Sequence, residues 1–288
     1  MKTEVEHQKG HFQGAGGLDL YYQSWIPVSV EKKVRDIKPA VVLFIHGMAE
    51  HSDRYKNPIR YFTRRGYASY AMDLRGHGNS GGRRSYADSM DQLVEDLRSF
   101  VSFVKKHEKG KKIFLVGHSF GGQLVLNYGA RHAEGVSGIL VSSPNVSLRV
   151  KIPLIKRLAA PILSRIIPKL ALGNELNPNL VSRDPNVVEE YRTDKRIQRK
   201  ITTRLADIVL ENHLYIMDLA KKFHVPTFLM HAGDDAICSP EGTRRFYENM
   251  PIRDKKFKIY PGFYHELFNE LGRDQVFRDM ELWILKRL

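Results

Sequence analysis

The sequence has few of the features that stabilise secreted or membrane-spanning proteins. It contains one cysteine in 288 residues, so no internal disulfide is possible and a disulfide-rich secreted scaffold is excluded. The first ten residues are polar and mixed in charge, so no secretory signal is visible. The apolar run Ala40–Ile45 is far shorter than the roughly 20 residues of a membrane-spanning helix. We therefore expect a soluble, cytoplasmic protein.

The chain is also short of negative charge. It has 46 Lys+Arg against 32 Asp+Glu, a formal net charge of +14. An excess of this size indicates an anionic partner such as nucleic acid, a membrane surface or an acidic substrate, or else a basic, solvated surface without a specific role. A hydrophobic content of 42% excludes a disordered chain and provides for a large core.

Hydrophobic periodicity predicts strands that alternate with helices. An alternating apolar pattern at 18–26 predicts a half-buried strand, and short apolar runs predict buried strands. Buried strands are expected at 40–45, 67–72 and 113–116, and further strands at 139–142, 225–231 and 257–260. Helical spacing is found at 55–65, 88–107, 121–132 and 275–288. This alternation predicts an α/β fold with a mostly parallel central sheet flanked by helices.

One segment interrupts the alternation. No convincing strand is found between 144 and 223, and the pattern there is helical and punctuated by prolines. An all-helical insertion between two strands of a parallel sheet predicts a lid over the carboxyl edge of the sheet, where ligands bind in such folds. We therefore expect a core formed by 1–143 and 224–288, with 144–223 as an inserted helical lid.

The strongest chemical signal is Gly117-His118-Ser119-Phe120-Gly121, which fits G-x-S-x-G between a predicted strand and a predicted helix. In this context the serine is expected on a sharp, strained turn, exposed as a nucleophile. The residues two positions away on each side must be small, because larger side chains would meet neighbouring strands. The motif therefore predicts that Ser119 is a catalytic nucleophile.

A serine hydroxyl needs a base and an acid to act as a nucleophile. His265 lies in a loop after the last predicted strand and is the expected base. The chain order Ser…Asp…His places the acid in the loop after 225–231, where Asp234 and Asp235 are adjacent. We assign Asp235 as the acid, because it stands further past the strand end and is followed by the apolar Ile237.

An oxyanion hole is the remaining requirement. One backbone donor is expected at the residue after the nucleophile, Phe120, and the other in the loop after an earlier strand. In that loop Gly47 permits a tight turn and the N–H of Met48 is the expected donor. Substrate contacts are expected beside these donors, at Gly47 and at His118.

Five motifs occur in a characteristic order and spacing. They are His46-Gly-Met-Ala-Glu50-His51-Ser-Asp-Arg54-Tyr55, Asp73-Leu-Arg-Gly76-His77-Gly78, Gly117-His-Ser-Phe-Gly-Gly122, Gly233-Asp-Asp235 and Tyr264-His265-Glu266. Together they resemble the monoacylglycerol lipase and lysophospholipase branch of the α/β-hydrolase superfamily, the serine-aminopeptidase-like hydrolases. The resemblance covers roughly residues 12–288 and implies a serine hydrolase of acyl-lipid esters that needs no metal or cofactor. It further implies that Glu50 and Arg54 lie at the polar end of the substrate pocket.

The predicted lid carries much of the positive charge. Residues 144–225 contain 15 Lys+Arg and 8 Asp+Glu, and a basic amphipathic stretch is typical of membrane-surface elements. We expect peripheral contact with an anionic membrane; the alternative is that the apolar face only covers the active site. The apolar positions are Ile155, Leu158, Ala159, Ile162, Leu163, Ile166, Ile167 and Leu170, and the basic ones Lys151, Lys156, Arg157, Arg165 and Lys169.

Other functions remain open at this point. A small-ester carboxylesterase or an acyl thioesterase would use the same residues, and a peptidase of the same superfamily is a weaker alternative. A nucleic-acid-binding module is disfavoured, because no basic run is interleaved with stacking aromatics. A metal site is not expected either, since His77 and His118 have no partner ligand at suitable spacing.

Overall fold

The computed structural model describes residues 4–28, 37–132, 134–150, 153–174 and 176–288, without the side chains of residues 154 and 156. Lys151 and the side chain of Lys156, both assigned to the basic stretch, therefore lie outside the described residues. The strands are β1 (Glu4–Gln13), β2 (Asp19–Val28), β3 (Ala40–Ile45), β4 (Ala68–Met72), β5 (Lys112–His118), β6 (Gly138–Ser142), β7 (Ala171–Gly173), β8 (Lys200–Thr202), β9 (Thr227–Ala232) and β10 (Lys255–Tyr260). The helices are α1 (Lys56–Thr63), α2 (Met90–His107), α3 (Ser119–Arg131), α4 (Leu154–Ile166), α5 (Pro185–Thr193), α6 (Thr203–Ala220), α7 (Pro240–Asn249) and α8 (Asp274–Leu285).

Eight of the described strands form one sheet in the order β1-β2-β4-β3-β5-β6-β9-β10. β1 pairs antiparallel with β2, and β2 antiparallel with β4. The remaining pairs are all parallel. The prediction of a mostly parallel central sheet flanked by helices is confirmed.

The core has two layers, one on each face of the sheet. In β3, which is completely buried, Val41, Leu43 and Ile45 point to one face, and Val42 and Phe44 point to the other. The first face packs against α2, α3, α6 and α7, and the second against α1 and α8. A strand buried on both faces has no polar alternation, which explains why the central strands appear in the sequence as short continuous apolar runs.

The segment 144–223 contains α4, α5 and α6, but the prediction that it lacks strands is wrong. β7 and β8 form an antiparallel two-stranded ribbon there. Each has three residues, which is too short for a hydrophobic period to show in the sequence. The sequence also missed β1, whose residues are mostly exposed and polar, and α7, and it placed the start of α1 one residue early.

The topology brings the functional loops together. The carboxyl ends of the parallel strands β3, β5, β9 and β10 lie at one edge of the sheet. The loops that follow these strands carry Gly47, Ser119, Asp235 and His265. Residues far apart in the chain therefore meet at one edge. No helix among the described residues is long and apolar enough to span a membrane.

Candidate active site

Ser119 lies on a strained turn between β5 and α3. Its φ is +53°, in the left-handed region that a non-glycine residue rarely adopts. The turn projects the half-buried side chain away from the sheet edge. Ser119 is the first residue of α3, so the unpaired backbone N–H groups and the positive end of the helix dipole lie beside its hydroxyl.

The two glycines of the motif are required for close packing. A Cβ at Gly117 would stand 2.5 Å from the carbonyl oxygen of Gly121. A Cβ at Gly121 would overlap the carbonyl oxygens of Ile45, the last residue of β3, and of His46, which follows it. Because backbone atoms cannot move aside as a flexible side chain does, these positions accept only glycine while the turn stays in place.

Ser119, His265 and Asp235 form a continuous hydrogen-bonded chain. His265 Nε2 lies 2.9 Å from Ser119 Oγ, and its Nδ1 lies 2.7 Å from Asp235 Oδ2. The other carboxylate oxygen accepts the backbone N–H groups of Ile237 and Cys238, at 2.8 and 3.0 Å. Asp234, the neighbouring aspartate, is exposed. The structure thus brings together the three residues that the sequence selected.

The electrostatics of this chain suit a general base. Burial by itself raises the pKa of Asp235, but His265, followed by His231, more than offsets burial and lowers it. Burial likewise acts to lower the pKa of His265, and the Asp235 carboxylate reverses this and raises it above 6.5. An ionised Asp235 therefore favours the protonated imidazole, the form that a base takes after removing a proton.

The loop after β3 holds the expected oxyanion donor. The N–H of Gly47 donates to Glu50 Oε1 at 2.6 Å, and Ala49 has a φ of +70°. This tight turn places Met48 at the wall of the cavity that contains Ser119. Phe120 is the second residue of α3, so its N–H has no partner within the helix, while its side chain is buried in the core.

Glu50 and Arg54 belong to a buried ionic network beside the cavity. Arg54 Nε donates to Glu50 at 3.1 Å, and its Nη2 donates to Glu266 at 2.6 Å. The hydroxyl of Tyr55 donates to Glu50 at 2.9 Å, and the Arg54 guanidinium stacks over the ring of Tyr191 at 4.9 Å. Glu50 lines the cavity, whereas Arg54 lies behind it.

Sequence reasoning assigned no role to three residues of this network, Tyr55, Glu266 and Tyr191. Tyr55 was noted only as the last residue of a motif. Glu266 directly follows His265, the expected base, and this adjacency was the signal in the sequence for a position near the site. Tyr191 comes from α5 and carried no signal, since a tyrosine in a helical segment is ordinary. Glu266 and Tyr191 both line the cavity.

His118 completes the polar end of the cavity. Its Nδ1 donates to the carbonyl oxygen of Ser142 at 3.1 Å, and its ring centre lies 4.8 Å from that of His265. Burial, followed by repulsion from His265, lowers the pKa of His118 to about 4. The residue is therefore neutral at pH 7, with Nε2 available as a hydrogen-bond acceptor.

A cavity of about 600 Å³ opens from Ser119. Its far part is apolar, and α4, α6 and the ribbon contribute most of that lining. Among the described residues that line the cavity, the only charged groups apart from the histidines are Glu50 and Glu266. The apolar lining comprises Leu148, Ile155, Ala159, Ala160, Leu163, Leu172, Leu176, Val181, Ile201, Ala206, Val209, Leu210 and Ile237.

Two further observations concern groups that are not part of the hydrogen-bonded chain. Over the described part of the sequence, no group of three or more His, Cys, Asp or Glu side chains is arranged to hold a metal ion. Cys238 is buried at the cavity wall. Burial raises the pKa of its thiol well above the usual value, which makes the thiolate scarce at pH 7.

Comparison with known proteins places the chain in a family. The sequence profile described as serine aminopeptidase, S33 matches residues 37–272. The monoacylglycerol lipase of Mycolicibacterium smegmatis is 32% identical over 99% of this chain and 99% of its own length. An uncharacterised abhydrolase domain-containing protein of Dictyostelium discoideum is 34% identical over 93% of this chain, which spans only 28% of that protein.

The fold comparison agrees. The crystal structure of Paleococcus ferrophilus monoacylglycerol lipase superposes with a TM-score of 0.80 and 29% identity, covering 99% of this chain and 100% of that chain. The profile and these alignments extend over most of the chain and include the strand ends and loops described above. The protein therefore belongs to the serine aminopeptidase S33 family and has the α/β-hydrolase fold.

Proposed function

We propose that the protein is a serine hydrolase that cleaves the carboxylic ester of monoacylglycerols. The observation that carries this proposal is the hydrogen-bonded chain Ser119–His265–Asp235 at the mouth of an apolar cavity of about 600 Å³. Such a cavity accommodates an acyl chain, and the polar end beside Ser119 accommodates a small alcohol. The similarity to monoacylglycerol lipases over nearly the whole chain supports the same substrate class.

The first half of the reaction forms an acyl-enzyme. Ser119 Oγ attacks the ester carbonyl while His265 Nε2 takes its proton. The N–H groups of Met48 and Phe120 stabilise the oxyanion, and each such donor typically contributes about 3 kcal/mol to the transition state. Asp235 holds the imidazole in the correct tautomer and stabilises the imidazolium. His265 then gives its proton to the departing alcohol oxygen.

The second half repeats these steps with water. His265 takes a proton from a water molecule that attacks the acyl carbonyl, and the same two N–H groups hold the oxyanion. Collapse of the tetrahedral intermediate returns the proton to Ser119 and releases the fatty acid. Gly47, Glu50 and His118 are proposed to bind the alcohol portion of the substrate, Gly47 through the turn it permits. Arg54 is proposed to contribute indirectly, because it holds Glu50 and Glu266 at the cavity wall.

The charge at the polar end favours a glycerol head group over a phosphate. Two carboxylates, Glu50 and Glu266, share the single guanidinium of Arg54, and His118 is neutral at pH 7. This end of the cavity therefore carries net negative charge in a low-dielectric setting, where repulsion of an anionic head group is strong. Uncharged hydroxyl groups can donate to the carboxylates instead.

A head-group panel tests this proposal. Hydrolysis of 1-monoacylglycerol is compared with that of a lysophospholipid and a p-nitrophenyl ester carrying the same acyl chain. Of the two lipids, we expect the monoacylglycerol to have the higher kcat/KM. In a second series of p-nitrophenyl esters that differ only in acyl length, we expect the decanoyl ester to be preferred over the acetyl ester. A preference for the lysophospholipid would contradict the head-group argument, and a preference for acetyl esters would support the carboxylesterase alternative.

We further propose that residues 144–223 act as a lid that contacts anionic membranes. One side of α4 lines the cavity through Ala159 and Leu163. The same helix also exposes Leu158, Ile162 and Ile166, whose exposed fractions are 63%, 59% and 72%. A continuous apolar stripe of this kind on a monomeric protein typically marks a membrane or protein contact.

The charge on α4 and the residues that neighbour the apolar stripe support a membrane contact, rather than a helix that only covers the active site. Arg157 and Arg165 are exposed on the same helix, and Leu214 of α6, 75% exposed, lies across the same outer groove as Leu158. Basic residues beside an apolar stripe suit an anionic lipid surface. Liposome co-sedimentation should increase with the anionic lipid fraction and decrease with salt; binding that responds to neither would contradict the proposal.

A further inference from the structure

The carboxylate of Asp235 is contacted by a second imidazole, that of His231, besides that of His265. His231, the fifth residue of β9, places its Nε2 3.2 Å from Asp235 Oδ2. Its Nδ1 lies 2.9 Å from the hydroxyl oxygen of Thr243 on α7. His231, Thr243 and Asp235 are all 0% exposed. The hydrogen-bonded chain thus continues behind the acid, from β9 to α7.

The partners of His231 determine where its proton lies. Nε2 faces the carboxylate of Asp235 and, at 3.4 Å, the carbonyl oxygen of Cys238. Both are acceptors only, so Nε2 must carry a hydrogen. Nδ1 of a neutral ring is then an acceptor, and the Thr243 hydroxyl is the donor that faces it. Thr243 therefore favours the tautomer whose Nε2–H lies between Asp235 Oδ2 and the carbonyl oxygen of Cys238.

With this contact each lone-pair position of the Asp235 carboxylate has a donor nitrogen within 3.2 Å. Oδ1 accepts two backbone N–H groups, from Ile237 and Cys238, and Oδ2 accepts from His265 and His231. Four donors fill the four lone-pair positions of an ionised carboxylate. A buried anion that lost one of them would be left partly uncompensated, which is costly away from water.

We propose that His231, oriented by Thr243, is a positioning residue for the reaction: its Nε2–H holds Asp235 ionised and oriented toward His265. This inference rests on the proposed function, since it presumes that Asp235 and His265 act with Ser119. His231 touches neither substrate nor the reacting atoms. It acts on the rate through the orientation and the charge of the acid.

Two substitutions at His231 separate positioning from simple packing. His231→Gln places an amide nitrogen at the same number of bonds from Cβ as Nε2, so it retains the donor to Asp235. His231→Asn places its amide at the position of Nδ1, so it retains only the contact with Thr243. Both variants are polar and uncharged, which makes each a control for the other.

We expect His231→Asn to lower kcat by about 10- to 100-fold, as expected for a lost hydrogen bond to a buried charge, with KM changed by less than about twofold. His231→Gln should retain most of the activity. In the asparagine variant the carboxylate charge is shared with fewer donors, so the acid limb of the pH–rate profile should move to higher pH. Glu50, Glu266 and His118, which also face His265, are unchanged in both variants.

Equal kcat values and equal acid limbs for the two variants, with a difference only in Tm, would overturn the inference. If His231→Asn does not fold, Thr243→Val tests the same claim, with an expected decrease in kcat of about threefold; an unchanged kcat would contradict it. Ser119→Ala distinguishes a failure of the proposed function from a failure of the role proposed for His231. Activity retained by Ser119→Ala would refute the proposed function, whereas its loss alongside an unaffected His231→Asn would refute only the role of His231.

Discussion

The sheet edge and the segment 144–223 face the same cavity but are built in opposite ways. At the sheet edge, polar groups are buried and fully bonded: Asp235 is 0% exposed and its carboxylate has four donors. In the segment, α4 leaves apolar side chains such as Ile155 and Ile166 in solvent, at 77% and 72% exposure. The bonded polar groups at the sheet edge hold Asp235 and His265 in fixed positions, whereas the exposed apolar side chains of α4 form a surface suited to lipid.

The largest expected effect contrasts two adjacent aspartates at the sheet edge. Asp235→Asn leaves the shape of the carboxyl group but removes the charge that stabilises the His265 imidazolium, and should lower kcat by about 10⁴-fold. Asp234→Asn is the matched control, because Asp234 is exposed and should change kcat by less than about twofold. The measurement is steady-state hydrolysis of a soluble p-nitrophenyl ester. Equal effects at the two positions would contradict the assignment of the acid.

The sheet edge should also be sensitive to acid. Burial is the main cause that lowers the pKa of His46 to about 4 and of His77 to about 3. The unfolded chain, with histidine pKa values near 6.5, therefore binds more protons than the folded chain as pH falls from about 6.5 toward 4. Between pH 7 and pH 5, the extra proton bound by the unfolded chain at each of these two histidines should lower the free energy of unfolding by about 2 kcal/mol.

The raised pKa of His265 acts in the opposite direction, because protonation of His265 favours the folded state. The expected net result is a marked loss of stability between pH 7 and pH 5. Urea unfolding followed by circular dichroism at both pH values measures it. His77→Asn should reduce the pH dependence, and a stability that does not change over this range would contradict the neutral, buried state of these rings.

A third expected effect concerns the backbone contact between α3 and β3. Gly121→Ala forces a methyl group against the carbonyl oxygens of Ile45 and His46 and should lower the free energy of unfolding by about 3 kcal/mol. Gly173→Ala, in the ribbon of the segment, is the control, because no atom of the residues that the structure describes lies within 4 Å of its added methyl. Thermal unfolding of the two variants provides the comparison. If Gly173→Ala were the more destabilising change, the contrast between the two regions would be wrong.

The smallest expected effect belongs to the exposed stripe. Ile162→Glu on α4 should weaken association with anionic liposomes by about 10-fold and leave hydrolysis of a soluble ester unchanged. Leu282→Glu is the matched control, because Leu282 lies on α8 with the same exposed fraction, 59%. Co-sedimentation and a vesicle-based assay measure the two effects. Equal losses for both variants would show that charge alone, rather than this surface, governs association.

How much the sequence predicted depends on the kind of interaction. Ser119 was identifiable because its motif follows an apolar run that is buried on both faces of the sheet, which fixes the end of β5. His265 was identifiable because it lies in the loop after the last predicted strand, β10, which the structure shows to be a half-buried edge strand. The choice of Asp235 over Asp234 depended on distance from the strand end, and the structure places only Asp235 beside His265. Its use as the acid stays a prediction.

Other features had no local signal. Tyr191 reaches the polar end of the cavity because α5 packs against the core, and helical spacing does not encode which residue meets Arg54. The strands β7 and β8 have three residues each and are stabilised by pairing with each other. The two hydrogen bonds of His231 depend on β9 and α7 being neighbours, which only the folded chain shows.

The most direct test of the central claim is to follow the acyl group. Wild-type protein and Ser119→Ala are incubated with a monoacylglycerol, and both fatty-acid release and the acylated peptide are measured by mass spectrometry after rapid acid quenching. We predict rapid release by the wild type, an acyl mass on the peptide that contains Ser119, and a decrease of about 10⁵-fold or more in the variant. Acylation of a different residue, or release that survives Ser119→Ala, would contradict the account.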